Sequence, residues 1–293
     1  MIALLLAAAT LPPGPLHFKA DDMRYQPKER RIFLDGEVHL TRADLNVTGD
    51  HAVADYAEVP KAPKRASSSE TRLEVERFTV DGKVHAVRGT RIADGEHGVM
   101  DVPGQTLVLT GTDRVPPVLR EGAETLSGER ILWRLDSEDV DVVRPRLFLK
   151  RSLPSETQKS PTPVRVEAQH MVLHKEARLA KFTDDVVVRR GDTVVKSPKM
   201  DAHYDQDGQL TILEMRGGVD MRQGDRRATG QSADYDAKSR TLVLLGDPKL
   251  YDRGDVLAGD RIDMALDSKE VHVEKAKGKL RPDTHKDEEA KLQ

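Results

Sequence analysis

The sequence predicts an all-β chain built from two tandem copies of one domain, and three observations carry that expectation. Apolar and polar residues alternate with a period of two along most of the chain, the pattern of strands that have one apolar and one polar face. Runs such as GEVHL, GKVHAV, DDVVV, GGVDM and GDPKL each place Gly or Asp before a short alternating stretch. Turns should therefore separate strands of about five to eight residues. Apolar residues at i, i+3, i+4 and i+7 are almost absent, so helix has little room. Finally, the chain repeats itself. PVRVEAQHM at 163–171 follows the pattern of PLHFKADDM at 15–23, an offset of 148, and at that offset Val186 matches Val38, Val188 matches Leu40 and Tyr204 matches Tyr56. Further on, TLVLLG at 241–246 matches TLVLTG at 106–111, and LAGDRIDMALDSKEV at 257–271 matches LSGERILWRLDSEDV at 126–140. A motif gains weight when both copies hold it.

Taken in order, the chain opens with IALLLAAA at 2–9, wholly apolar, with Ala7 and Ala9 standing just before TLPPGP. This matches the later part of a secretory signal peptide cleaved near Ala9, although no Lys or Arg precedes Lys19. Spanning a bilayer takes about 20 apolar residues, so residues 1–14 are read as a signal-like N-terminus and not as an anchor. The first domain is placed at 15–150. Within it, VPKAPKRASSSETR loses all periodicity and collects Pro, Ser and basic residues, which predicts an exposed loop over 59–71. RSLPSETQKSPT at 151–162 reads as a linker, the second domain follows at 163–275, and the polar 276–293 reads as a disordered tail.

Composition narrows the function classes. Charged residues make up 33 % of the chain and aromatics 4 %, with one tryptophan, which suits a thin interior between polar outer faces more than a thick aromatic core. With 47 basic and 50 acidic side chains the formal charge is −3, too small to favour nucleic acid as a partner. The chain has no cysteine, which excludes thiol chemistry, disulfides and Cys-ligated zinc.

His170 and His174 in HMVLH point the same way on a strand, a spacing that can hold a metal. Their counterparts in the first copy are Asp22 and Gln26, and no third ligand is placed, so they read as polar-face histidines and no metal is expected. Asp136 with Asp267, Glu129 with Asp260, and Asp35 with Asp184 recur beside Gly or Ser, where turn chemistry accounts for them. HExxH, GxSxG, P-loop and GxGxxG motifs are absent from the sequence. No catalytic residues and no cofactor are expected, and the chain reads as a non-enzyme. The recurring feature with functional content is the apolar stripe: Leu16, Phe18, Val38, Leu40, Val47, Leu107, Leu109, Ile131 and Trp133 in the first copy. The second copy repeats it as Val164, Val166, Val186, Val188, Val195, Leu242, Leu244, Ile262 and Met264. Alternation turns Leu16, Phe18, Val164 and Val166 inward and His17, Lys19, Arg165 and Glu167 to water. A sheet must bury its apolar face, so this stripe is either a closed core or an open ligand groove.

PLHFKADDM, DGEVHLTR, the ADY and TLVLTG runs and LAGDRIDMALDSKEV resemble the OstA-like domain of the LptA family of periplasmic lipopolysaccharide transport proteins, once per copy over nearly all of residues 15–273. The resemblance implies two tandem β-jellyroll domains, each folded like a taco, whose stripe residues line a groove for the acyl chains of lipid A. It further implies head-to-tail self-association through open sheet edges. The partners would be lipopolysaccharide, an inner-membrane exporter complex and an outer-membrane translocon, bridged across the periplasm. The alternatives are a non-catalytic β-scaffold with a filled core and an LptC-like partner on the inner-membrane side.

Overall fold

The computed structural model describes residues 16–60, 71–150, 162–266, 268 and 270–279, and among these it contains strands and turns but no helix. The N-terminal segment 1–14, residues 61–70 of the expected loop, 151–161 of the expected linker and 280–293 of the expected tail lie outside the described residues.

The strands of the first copy are β1 (His17–Lys19), β2 (Asp22–Gln26), β3 (Arg31–Arg42), β4 (Leu45–Pro60), β5 (Thr71–Arg88) and β6 (Arg91–Asp101). Six short ones follow: β7 (Thr106–Thr110), β8 (Val118–Glu121), β9 (Glu124–Ser127), β10 (Arg130–Arg134), β11 (Val140–Val143) and β12 (Arg146–Leu149). The second copy supplies β13 (Val164–Glu167), β14 (His170–His174), β15 (Leu179–Arg190), β16 (Thr193–Tyr204), β17 (Leu210–Gln223) and β18 (Arg226–Asp236). It ends with β19 (Thr241–Leu245), β20 (Lys249–Asp252), β21 (Asp255–Ala258), β22 (Arg261–Ala265), β23 (Val271–Glu274) and β24 (Lys277–Lys279).

The Gly- and Asp-rich runs do not all end strands, as alternation alone suggested. DGEV at 35–38 lies inside β3 and DGKV at 81–84 inside β5, where the ladder slips between Asp35 and Val38 and between Asp81 and Val84. The residues left over take positive φ, 76° at Gly36, 40° at Glu37, 77° at Gly82 and 48° at Lys83. Such a bulge bends a strand without reversing it. Gly82 suits the position for a second reason, since a Cβ there would lie 2.5 Å from the Asp50 carboxylate. The strands are also longer at the expected loop: β4 and β5 stay paired as far as Pro60 and Thr71. Past Lys275, Lys277–Lys279 pairs with β21, so the start of the expected tail is strand.

Two compact units result, unit 1 (Met1–Lys150 with Gln169–Ala180) and unit 2 (Arg151–Ala168 with Lys181–Gln293). In unit 1 the bulges form a crease across β3, β4, β5 and β6. On one side of it the order is β2, β3, β4, β5, β6, β7, β10, β11. On the other it is β1, β3, β4, β5, β6, β8, β9, β12. Each long strand thus runs through both layers, and the inward side chains of the two layers meet. This is the jellyroll-like, all-β arrangement that the family resemblance implied. The same order recurs in unit 2, as β16, β17, β18, β19, β22, β23 on one side and β16, β17, β18, β20, β21, β24 on the other.

Unit 1 is completed by a strand from the second copy. β14 pairs antiparallel with β11, with Leu173 opposite Val140 and Met171 opposite Val142. His170 and His174 sit on the outer face of this joint, 3.0 Å from Asp141 and 3.4 Å from Asp139. By repeat position, β2 is the first-copy counterpart of β14 and β23 the second-copy counterpart of β11. Among the described residues β2 pairs with β3 alone and β23 with β22 alone. Tyr25 of β2 stacks on Tyr56, with ring centroids 5.8 Å apart, and accepts the Tyr56 hydroxyl at 2.9 Å.

Candidate binding site

Alternation sends the stripe of unit 1 between its layers. Val38, Leu109, Ile131 and Trp133 are fully buried, and Leu40, Val47 and Leu107 nearly so. Leu16 and Phe18 depart from the expectation. Leu16 is half-buried and Phe18 is 46 % exposed, while His17 and Lys19 on either side are exposed too. β1 has three residues and, among the described residues, pairs with β3 alone, so little covers either of its faces.

The same alternation carries two charges inward. Val84, Ala86 and Arg88 share a face of β5, and Arg88 is 4 % exposed. Its guanidinium donates to Asp44 at 3.0 Å and to the Leu135 carbonyl, and lies 3.4 Å from the Glu138 carboxylate. Arg91, 2 % exposed, donates to Glu121 at 2.9 Å and to the Glu138 carbonyl at 2.9 Å, and its Nη1 lies 3.4 Å from the Glu138 carboxylate. It also stacks over Trp133, 5.9 Å from the ring centroid. Burial alone would raise the Glu121 carboxyl, but Arg91, helped by Lys175, holds it below the usual carboxylate range. Glu138 bridges both guanidiniums, so this network seals one end of the unit 1 interior with the chain's own ions.

Unit 2 keeps half of this network, with Arg226 and Asp252 paired at 2.7 Å at the positions of Arg91 and Glu121, and differs at the other half. By strand register Gln223 stands at the position of Arg88, since Thr193 faces Gln223 as Leu45 faces Arg88. Thr193 likewise replaces Leu45, and Leu213 replaces Phe78, both fully buried in unit 1. The sequence puts Lys269 at the place of Glu138. Thr193, Leu213 and Gln223, each smaller than its counterpart in unit 1, line a cavity of about 470 Å³. Val164, Val188, Val195 and Leu242 of the predicted stripe line it, joined by Leu213, Met215, Met221, Tyr235, Arg190 and Arg240. Val166, Val186, Leu244, Ile262 and Met264 lie in the buried core instead. A second hollow, of about 740 Å³, follows the crease of unit 2, and across it Arg227 pairs with Asp220 at 2.8 Å. Among the described residues no group of three or more His, Asp or Glu is placed to hold a metal ion.

The residues that sequence reasoning missed are Arg88, Arg91, Arg190 and Arg240. The signal for Arg88 and Arg190 was present, because each continues an inward i, i+2 series, Val84–Ala86–Arg88 and Val186–Val188–Arg190.

Two creased sheets with apolar interiors, one of them opening into a cavity, define a repeat-built β-jellyroll scaffold. The chain belongs to the family described as LptA/(LptD N-terminal domain) LPS transport protein, whose model matches residues 17–139 and 165–270. The family is one of lipopolysaccharide-transport proteins. The chain is 35 % identical over 75 residues to the LPS-assembly protein LptD of Pseudomonas syringae pv. syringae, which is 26 % of this chain and 8 % of that protein. An uncharacterized protein of Rhizobium meliloti is 23 % identical over 127 residues, 40 % of this chain and 68 % of that one. The crystal structure of LptH, the LptA homologous periplasmic component of the lipopolysaccharide transport device from Pseudomonas aeruginosa, aligns with a TM-score of 0.39 at 18 % identity, over 41 % of this chain and 96 % of that one.

Proposed function

We propose that this protein is a periplasmic lipopolysaccharide-binding bridge that shelters lipid A acyl chains between its layers on their way from the inner-membrane exporter complex to the outer-membrane translocon. The observation that carries the reading is the paired repeat of an apolar interior in a member of this transport family, open at the unit 2 cavity. Sheltering a dodecyl chain is worth on the order of 9 kcal/mol at ~0.8 kcal/mol per methylene, so a shielded path lowers the barrier to crossing water without any bond being made or broken.

A photo-crosslinker tests it. Placed at Val188 or Val195, on the cavity wall, it is expected to capture lipopolysaccharide. At Arg189 or Glu167, paired across the outer face at 3.5 Å, it is expected to capture none. Equal capture at inner and outer positions, or none anywhere, would remove the shielding role. A second reading has its own support: the sealed interior of unit 1 favours a closed scaffold there, and a crosslinker at Val47 or Leu40 that captures nothing would assign lipid to unit 2 alone.

The bridge also needs copies that join. β11 with β14 supplies the pattern, because transferring its register to β23 of one molecule and β2 of the next puts Val271 against Tyr25 and Val273 against Met23. One charge pair recurs at the joint, while Glu274 falls opposite Asp22, a like-charge contact that the joint has to bear. Asp141 and His170 pair in unit 1, and their counterparts are His272 and Asp22, the same pair with its partners exchanged. Met23 is 58 % exposed and Tyr25 44 %, apolar surface that a neighbouring strand would cover.

A further inference from the structure

Within unit 1 the joint of β11 and β14 is held by more than its ladder. Asp139, just before β11, accepts the Lys175 amide at 2.9 Å and lies 3.4 Å from the His174 ring. The Lys175 ammonium lies 3.4 Å from Glu121 of β8, and His170 meets Asp141 at 3.0 Å. The Lys175 and His174 side chains are 47 % and 41 % exposed, so their ion pairs contribute little. The backbone amide donated to a carboxylate is the firmest of these contacts. Together they clamp one end of the joint.

The repeat puts β23 and β2 at the places of β11 and β14, and the turns beside them agree. Arg30 donates its amide to the Pro27 carbonyl as Arg178 does to that of Lys175, each at 3.2 Å. Glu270 donates its amide to Ser268 Oγ as Asp139 does to Ser137 Oγ, each at 3.3 Å. The backbone is kept, and the clamp is not. Pro27 stands at the place of Lys175 and has neither an amide hydrogen nor an ammonium to give. Gln26 replaces His174, and Glu270 replaces Asp139. Asp252, at the place of Glu121, already holds Arg226 at 2.7 Å. Where Val143 faces His170, the transferred register sets Glu274 against Asp22, like charges directly opposite.

We infer that the chain makes joints of unequal strength: a clamped one of β11 with its own β14, which stays closed, and an unclamped one of β23 with β2 of a second copy, which opens and closes in the working bridge. The bridge then gains and loses members in steps of one whole chain, never of one repeat. The inference rests on the head-to-tail reading and adds how firmly that contact holds.

Sedimentation equilibrium of the full chain tests it, with the clamp built into the free ends. Gln26→His, Pro27→Lys and Glu270→Asp together, checked for fold by circular dichroism, are expected to lower the dissociation constant between copies at least about tenfold, as one added hydrogen bond to a charged group does. Removing the clamp from the inner joint is the converse. Asp139→Ala is expected to speed hydrogen exchange at the amides of β14 at least about tenfold and to leave those of β17 and β18 unchanged. Should the triple variant fail to fold, the exchange measured on Asp139→Ala decides alone. A triple variant that associates no more tightly than the unaltered chain, or β14 amides equally protected in Asp139→Ala, would overturn the inference and leave the head-to-tail joint standing. So would unaltered copies that never separate on dilution. An unaltered chain that is monomeric at every concentration would end the joint and the inference together.

Discussion

Glu138→Ala is expected to lower the stability of unit 1 by about 2 kcal/mol, the order of loss for hydrogen bonds to charged groups, since Arg88 keeps Asp44 and Arg91 keeps Glu121. The two guanidiniums that Glu138 bridges have side chains only 3 % exposed, so neither can turn to water when the carboxylate is gone. Urea unfolding followed by tryptophan fluorescence measures the loss cleanly, because the single tryptophan of the chain, Trp133, lies buried in unit 1. Glu138→Gln, which keeps shape and hydrogen-bonding oxygen, should lose less. A loss below about 1 kcal/mol for the alanine variant would place the network with ordinary surface pairs, which contribute little. The same network gives a pH dependence. The Glu121 carboxyl is held below its unfolded value, so its contribution is complete above the unfolded carboxylate range near ~4.3 and is lost as pH falls through the folded value. Unit 1 should therefore weaken with acid in that window, and less so in Glu121→Gln.

The second large effect is on assembly. The chain has no cysteine, so Met23→Cys with Val273→Cys creates the only thiols present. If copies join in the register of β11 and β14, oxidation of the double variant converts it into a covalent ladder of multimers on a non-reducing gel. Arg24→Cys with Val273→Cys puts the thiols on opposite faces of the joint and is expected to give none. Met23→Asp should abolish concentration-dependent oligomers in sedimentation. One monomeric species at every concentration in the unaltered chain would rule the joint out.

Much of the fold was legible because the period of two is read directly from side-chain type. Val38, Leu109, Ile131 and Leu244 could be placed in the interior from alternation and repeat alone, and all are fully buried. The creases were visible as Asp-Gly and Gly-Gly pairs, yet a bulge and a turn call on the same residues, and only pairing on both sides of the pair tells one from the other. Phe18 obeyed the pattern of its strand but not its burial, since burial depends on what lies opposite and sequence alternation does not say that. Arg88 and Arg190 escaped notice because a stripe defined by apolar residues stops at the first charge, although the backbone goes on turning alternate side chains the same way. Glu138, the partner of Arg88, is remote in sequence and comes near only through the second layer.

The crease has a consequence for how the protein comes apart. Because β3 to β6 each run through both layers, hydrogen bonds of one layer continue along the same strands into the other. Neither layer of unit 1 has a seam at which it can peel away and leave its partner intact, so local opening is confined to the short strands that belong to one side. The long neighbours are joined by tight reversals between Arg42 and Leu45 and between Arg88 and Arg91, so these hairpins can zip early from contacts close in sequence. Bending at the bulges then brings the inner faces together, and the interior is the last thing to form.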